Sequence, residues 1–200
     1  MKLIRTLYSP GEAAAASGRS VENQRNDRRA GYDAESSGHA RYDLFNLARL
    51  SVRQLFADRG VGPQQSQAFL NEVAGKVCGH LIHQPQVWDG AALDRALSGL
   101  DLSGIEPDLR KLAGAIAPAE YVALARKEAG IDSETMGIGG GIVVWPNGEF
   151  TIDRAIWNAY GNLLPSDPRG RGVVQMMVFY PVSVMLAQRL PRPIYDVVEG

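Results

Sequence analysis

Three side chains with metal-binding or nucleophilic chemistry lie within six positions: Cys78, His80 and His83. A thiolate and two imidazoles are ligands that zinc prefers, and a cysteine beside a histidine can also form a nucleophile–base pair. Helical geometry argues against both roles, because at about 100° per residue these side chains diverge around the apolar stripe of the segment. We therefore predict a small buried Cys78, two histidines at the edge and surface of a helix, and no metal or cofactor.

A glycine-rich segment is the second candidate. Its glycines are Gly137, Gly139, Gly140 and Gly141. Phosphate-binding loops place such glycines after a strand and before a helix, whose free N–H groups bind the phosphate. Here a β-branched run follows the glycines and no Gly-Lys-Ser/Thr is present, so phosphate binding is not favoured. We interpret these four residues as a hinge that permits positive φ or close approach of another backbone.

The sequence Trp145-Pro146-Asn147-Gly148-Glu149 predicts a β-hairpin over residues 142–152. Proline suits the first turn position, asparagine the second, and glycine the left-handed position of a bulge. Two short strands are marginally stable alone, so we expect them to lie on helices or to join another sheet, with residues 2–8 as a candidate third strand. The free edge of so small a sheet can accept a partner, and Trp145 is a candidate contact residue.

Residues 1–38 are predicted to form an N-terminal arm. Ser9-Pro10-Gly11-Glu12 matches a capping box that begins a short helix, and Gly18 is placed to end it. The rest of the arm has almost no large apolar side chain, so alone it cannot offset the entropy of ordering. We expect it to be disordered or to become ordered against a partner.

Basic residues in the first part of the chain are candidate contacts. Arg25, Arg28 and Arg29 lie in the arm and are the candidates there, and Arg169 and Arg171 lie in a glycine-rich loop. Arg49 and Arg53 share one face of the predicted helix that follows the arm, with no contact assigned to them. The first 60 positions hold ten basic and seven acidic residues, a smaller excess than nucleic-acid-binding proteins usually show. Solvated charges or contacts with protein subunits are therefore favoured over nucleic acid, which stays an alternative.

Residues 39–190 are predicted to form one helical globular domain, because apolar residues recur there at helical spacing between Pro, Gly and Asp signals. The fold class is mainly α (α+β), with a core of five to seven helices and the single hairpin. The predicted helices cover residues 42–57, 63–83, 89–97, 106–115, 118–129, 154–163 and 173–190. The last is apolar on almost all sides, so it must be central in the core or covered by a neighbour.

Residues 191–200 are predicted to form an extended C-terminal tail, because Pro191 and Pro193 cannot continue a helix. Ile194 and Tyr195 in this tail are the remaining candidate contact residues.

Composition excludes several classes of protein. A net charge of −1 provides no global field for nucleic acid or an anionic membrane. No apolar run is long and uninterrupted enough to span a bilayer. One cysteine excludes an internal disulfide and fits a reducing compartment, so we predict the cytoplasm or a particle assembled there.

Two functions from different classes remain. The first is a non-enzymatic structural or assembly component of a multisubunit particle, such as a phage virion or connector, which binds neighbouring subunits in a homo- or hetero-oligomer through its arm, hairpin edge and tail. The second is a small helical enzyme with a cleft beneath the glycine-rich loop 136–141, lined by His80, Asp132, Glu134 and Trp145. We favour the first, because the sequence contains no recognisable nucleophile–base pair.

Overall fold

The computed structural model describes residues 2–33, 40–98, 117–130, 140–153 and 175–198. The α-helices are α1 (Pro10–Ser17), α2 (Val21–Arg29), α3 (Leu44–Ala57), α4 (Pro63–Ser66), α5 (Leu70–Leu81), α6 (Gly90–Ser98), α7 (Ala119–Ala129) and α8 (Phe179–Gln188), with a 3₁₀ helix at Pro85–Val87. The strands are β1 (Lys2–Arg5), β2 (Gly141–Val144), β3 (Phe150–Asp153), β4 (Gln175–Val178) and β5 (Tyr195–Val198). These elements confirm the predicted α+β class. No helix among the described residues is long and apolar enough to cross a membrane.

The helical core is centred on α5, which contacts both α3 and α8. Its predicted apolar stripe is fully buried, and this stripe consists of Leu70, Val73, Val77 and Leu81. Each such side chain contributes about 1.5–3 kcal/mol by leaving water. The predicted helix over residues 63–83 is interrupted, since α4 ends at Ser66 and α5 begins at Leu70. The predicted helices at 106–115 and 154–163 lie outside the described residues.

Helix α1 confirms the predicted capping box. The Ser9 N–H donates to Oε2 of Glu12 at 2.8 Å, and the Glu12 N–H donates to Oγ of Ser9 at 3.4 Å. Gly18 ends the helix in the left-handed region, with φ of 78°. These Ser9 groups and the Arg192 guanidinium hold the pKa of Glu12 down at about 2. Because Arg192 Nε donates to Glu12 Oε1 at 2.9 Å, this cap also joins the N-terminal region to the tail.

The predicted helix over residues 173–190 is wrong in its first part. Residues Gln175–Val178 form β4, which pairs antiparallel with β2 in a sheet of order β3–β2–β4, and α8 begins only at Phe179. A short apolar run such as the one in β4 fits either a strand or part of a buried helix. Pairing decides the outcome, because β2 is buried along its whole length and its backbone groups need partners on both sides.

Residues 2–8 do not supply the third strand of the hairpin sheet. Instead, β1 pairs antiparallel with β5, with Lys2 opposite Val198. The other side of the tail is also occupied, because the Asp89 N–H donates to the Tyr195 carbonyl at 2.8 Å and the Ile194 N–H donates to the Val87 carbonyl at 2.9 Å. The predicted extended conformation is found at Tyr195–Val198, and this part of the tail lies between two other segments of the same chain.

Candidate interaction surfaces

The polar segment after α1 contains a buried network of charged side chains. Nε and Nη2 of Arg19 donate to the two carboxylate oxygens of Asp27 at 2.5 and 2.7 Å. The Arg53 side chain is only 1% exposed. Its Nη1 lies 3.2 Å from the carboxylates of both Asp27 and Asp33. Nη2 of Arg49 lies 3.2 Å from Asp33. Three guanidinium groups thus share two carboxylates and join the segment to α3.

The three arginines predicted as partner contacts all lie on α2, in different surroundings. Arg25 and Arg29 are exposed. Arg28 is half-buried, and its Nη1 donates to the Tyr42 hydroxyl. Only the exposed pair is open to another molecule in this conformation, and the role of all three stays a prediction.

The two contact residues predicted in the tail are buried in this chain's own core. Ile194 and Tyr195 have 1% and 2% of their surface exposed. The Tyr195 ring centroid lies 5.2 Å from that of Trp88, and burial raises the pKa of the Tyr195 hydroxyl. A partner could reach either side chain only after it left the core.

The hairpin turn forms as predicted. Gly148 has φ of 87°, its N–H donates to the Trp145 carbonyl at 2.9 Å, and the Trp145 N–H donates to the Glu149 carbonyl at 2.8 Å. Trp145 is only 2% exposed, and its Nε1 donates to Oγ1 of Thr151 at 3.3 Å. The indole therefore stabilises the hairpin and is not open to a partner in this conformation, so its predicted contact role stays a prediction.

The outer edge of β3 is the clearest candidate surface. In antiparallel pairs, alternate residues direct their N–H and C=O groups toward the neighbouring strand. Since Trp145 and Glu149 form such a pair, Thr151 and Asp153 also face β2, whereas Phe150 and Ile152 direct their backbone groups outward. No other strand of the described residues lies on that side. The Phe150 side chain on this edge remains 36% exposed.

The cysteine and the two histidines do not form a site. Cys78 is fully buried, burial raises the pKa of its thiol, and its Sγ lies 3.7 Å from the Leu44 carbonyl. His80 and His83 are half-buried, and the His80 ring packs edge-on against Tyr180 at 6.0 Å between centroids. Among the described residues, no group of three or more His, Cys, Asp or Glu could hold a metal ion.

Histidine protonation is expected to weaken the fold as the pH falls below 6.5. Burial lowers the pKa of His80 and of His83 from the ordinary value of 6.5, and the neighbouring charges of His83 and Arg126, respectively, lower them further. The two histidines therefore bind protons more readily in the unfolded chain than in the folded one, so the free energy of unfolding decreases as the pH falls. Urea denaturation at pH 7.5 and at about pH 5.5 measures this dependence of the unfolding free energy on pH. The His80→Gln/His83→Gln double variant should have a shallower slope, and an unchanged slope would contradict the assignment.

The glycine-rich segment is described only in part. Gly137 and Gly139 lie outside the described residues, as do Asp132 and Glu134 of the alternative catalytic cleft. Gly140 has φ of 109°, and its carbonyl accepts from the Phe179 N–H at 3.1 Å, whereas Gly141 belongs to β2. The positive φ of Gly140 favours glycine at this position, and the hinge role of the four glycines stays a prediction.

Comparison with known proteins adds no assignment, since no family model, no curated protein and no solved structure matches this chain.

Proposed function

We propose that this protein is a non-enzymatic assembly component whose copies associate through the outer edge of β3. One observation carries the proposal: the backbone groups of Phe150 and Ile152 point away from β2 and have no strand beside them among the described residues. Such groups are a template for pairing with another chain.

The β3 edge lacks two of the residues that usually prevent association. Lysine and proline are among the devices that protect natural edge strands, and β3 reads Phe-Thr-Ile-Asp without either; its length of four residues and the charge of Asp153 at its end keep the pairing surface short. The partly exposed Phe150 adds apolar area on the same edge. We propose β3 of a second copy as the occupant. Antiparallel pairing about a two-fold axis satisfies the outward groups of both copies and joins two three-stranded sheets into one.

Ile152→Pro is expected to abolish this association while the domain remains folded. Proline removes the outward N–H of Ile152 but no hydrogen bond to β2, so it is tolerated at an edge. The control is Ile152→Ala, which removes more of the side chain than proline does but keeps the N–H, so only the backbone donor explains a defect confined to Ile152→Pro. Light scattering over a range of concentrations measures the mass, and circular dichroism verifies the fold.

The expected result is a dimer or larger assembly for the wild type and Ile152→Ala, and a monomer for Ile152→Pro. A wild-type chain that stays monomeric at all concentrations contradicts the proposal. So does an Ile152→Pro variant that associates as the wild type does.

The particle that we propose is a phage virion or a connector, assembled in the cytoplasm. The support is architectural, since a polar N-terminal segment and small edge strands suit chains that exchange contacts between subunits. Genes for capsid, portal or tail proteins next to the gene for this chain are the expected finding.

A further inference from the structure

Residues 19–33, which we call the latch, are attached to the rest of the chain mainly by polar contacts. The buried residues of α2 are Gln24 and Asp27, and neither supplies an apolar side chain. By contrast, α1 on one side of the latch buries Ala13 and Ala16, and α3 buries a row of large apolar residues. Burial of apolar surface, which stabilises the core, therefore contributes little to the attachment of the latch.

The charged network compensates for this only in part. A buried ion pair gains little net free energy, because removing the charges from water costs about as much as their attraction returns. The latch network also has three guanidinium groups for two carboxylates. Nε of Arg49, Nε of Arg53 and Oε1 of Gln24 are buried without a hydrogen-bond partner in the part of the chain that the structure describes. Release of the latch would hydrate all of these groups.

Helix α2 is at most marginally stable without its docking site. It spans 9 residues, and isolated helices shorter than about 12–15 residues are marginal in water. Undocking therefore leads directly to an unfolded segment, whose chain entropy favours the open state. Helix α1 would stay in place, because its own cap is tied to Arg192 and its alanines are buried.

We propose that the latch detaches and reattaches as a unit while the helical core stays folded. The opening begins after Gly18, at the end of α1. Opening exposes α2 as a flexible polar segment and bares the two arginines of α3 that the aspartates had covered. It occurs within one chain, so it is independent of whether β3 edges pair.

Native-state hydrogen exchange of the full chain tests this proposal. We expect amides of residues 25–30 to exchange at least about 100-fold faster than those of Val77 and Leu81 in α5. Their exchange should also be insensitive to low concentrations of denaturant, because local opening exposes little surface. Latch amides that exchange only with the core, and with the same denaturant dependence, would overturn the proposal.

Trypsin cleavage after Arg25, Arg28 and Arg29 provides a second readout. Asp27→Asn removes the carboxylate that Arg19 and Arg53 share and should raise the rate of cleavage in the latch about tenfold or more. The matched control is Glu22→Gln, which removes the same charge from an exposed position of α2. Equal cleavage rates in the two variants would contradict the role of the network. Core amides that lose protection together with the latch in Asp27→Asn would contradict local release.

Discussion

Trp88→Ala is expected to lower the free energy of unfolding by about 3–5 kcal/mol. The Trp88 side chain is 1% exposed and its ring lies 5.4 Å from Tyr121 and 5.2 Å from Tyr195, between centroids. Its Nε1 donates to the Ile82 carbonyl at 2.9 Å. Truncation leaves a cavity where the end of α5, α7 and the tail meet, and it removes the donor for a buried carbonyl.

Urea denaturation followed by circular dichroism measures this loss. Trp88→Phe separates the contribution of the ring from that of the N–H, because phenylalanine keeps an aromatic ring and lacks the donor. Its loss of unfolding free energy should be clearly smaller than that of Trp88→Ala. Tyr180→Ala is the surface control, since Tyr180 is 53% exposed. Because it removes only the edge-on contact with the His80 ring, it should change the free energy by about 0.5–1.5 kcal/mol, clearly less than Trp88→Ala. Equal losses for Trp88→Ala and Tyr180→Ala would show that the indole does not organise the core.

Phe69→Ala is expected to cost a similar amount, about 3–5 kcal/mol, and also to loosen the hairpin. Phe69 lies between α4 and α5 and is 1% exposed. Its ring centroid is 4.9 Å from that of Phe56 on α3 and 5.4 Å from that of Phe150 on β3. These three rings connect the helical core to the edge strand, so the substitution removes the side chain on which β3 rests.

Hydrogen exchange distinguishes this effect from a general loss of stability. In Phe69→Ala, the β2–β3 amides, such as those of Thr151 and Trp145, should lose more protection than those of Val77. Phe150→Ala is the control, because it removes the β3 ring of the Phe69–Phe150 contact. It should lower the free energy of unfolding by less than Phe69→Ala does, because Phe150 is already partly exposed to water. Uniform loss of protection across core and hairpin in Phe69→Ala would argue against a specific support for β3.

Local sequence signals predicted the features that depend on neighbouring residues. The Ser9–Glu12 capping box, the Gly18 helix end and the Trp145–Glu149 turn each form because backbone and side chain groups within a few positions satisfy one another. The burial of Cys78 followed from the direction of one helix face. These contacts do not depend on the rest of the fold, so a single sequence was sufficient.

Features that depend on distant residues were not predicted. Arg49 and Arg53 were seen to share a helix face, but the sequence did not show that Asp27 and Asp33 would cover it. The polar composition of the latch indicated a segment that is disordered or ordered only against a partner, because composition cannot reveal a docking site in the same chain 16 to 26 positions away. The start of β4 was missed for the same reason, because only pairing with β2 distinguishes that strand from a helix.

The pairing of β1 with β5 has a consequence for the order of folding. Lys2 lies opposite Val198, so this small sheet closes a loop that contains almost the whole described chain. Closing so long a loop costs much chain entropy, and the two strands of four residues return only a few contacts for it. The contacts among α3, α4 and α5 are instead local in sequence, so they form at a lower entropy cost. We expect those helices to form the folding nucleus and the two terminal strands to join last. Substitutions in β1 or β5 should then speed unfolding and leave the folding rate almost unchanged.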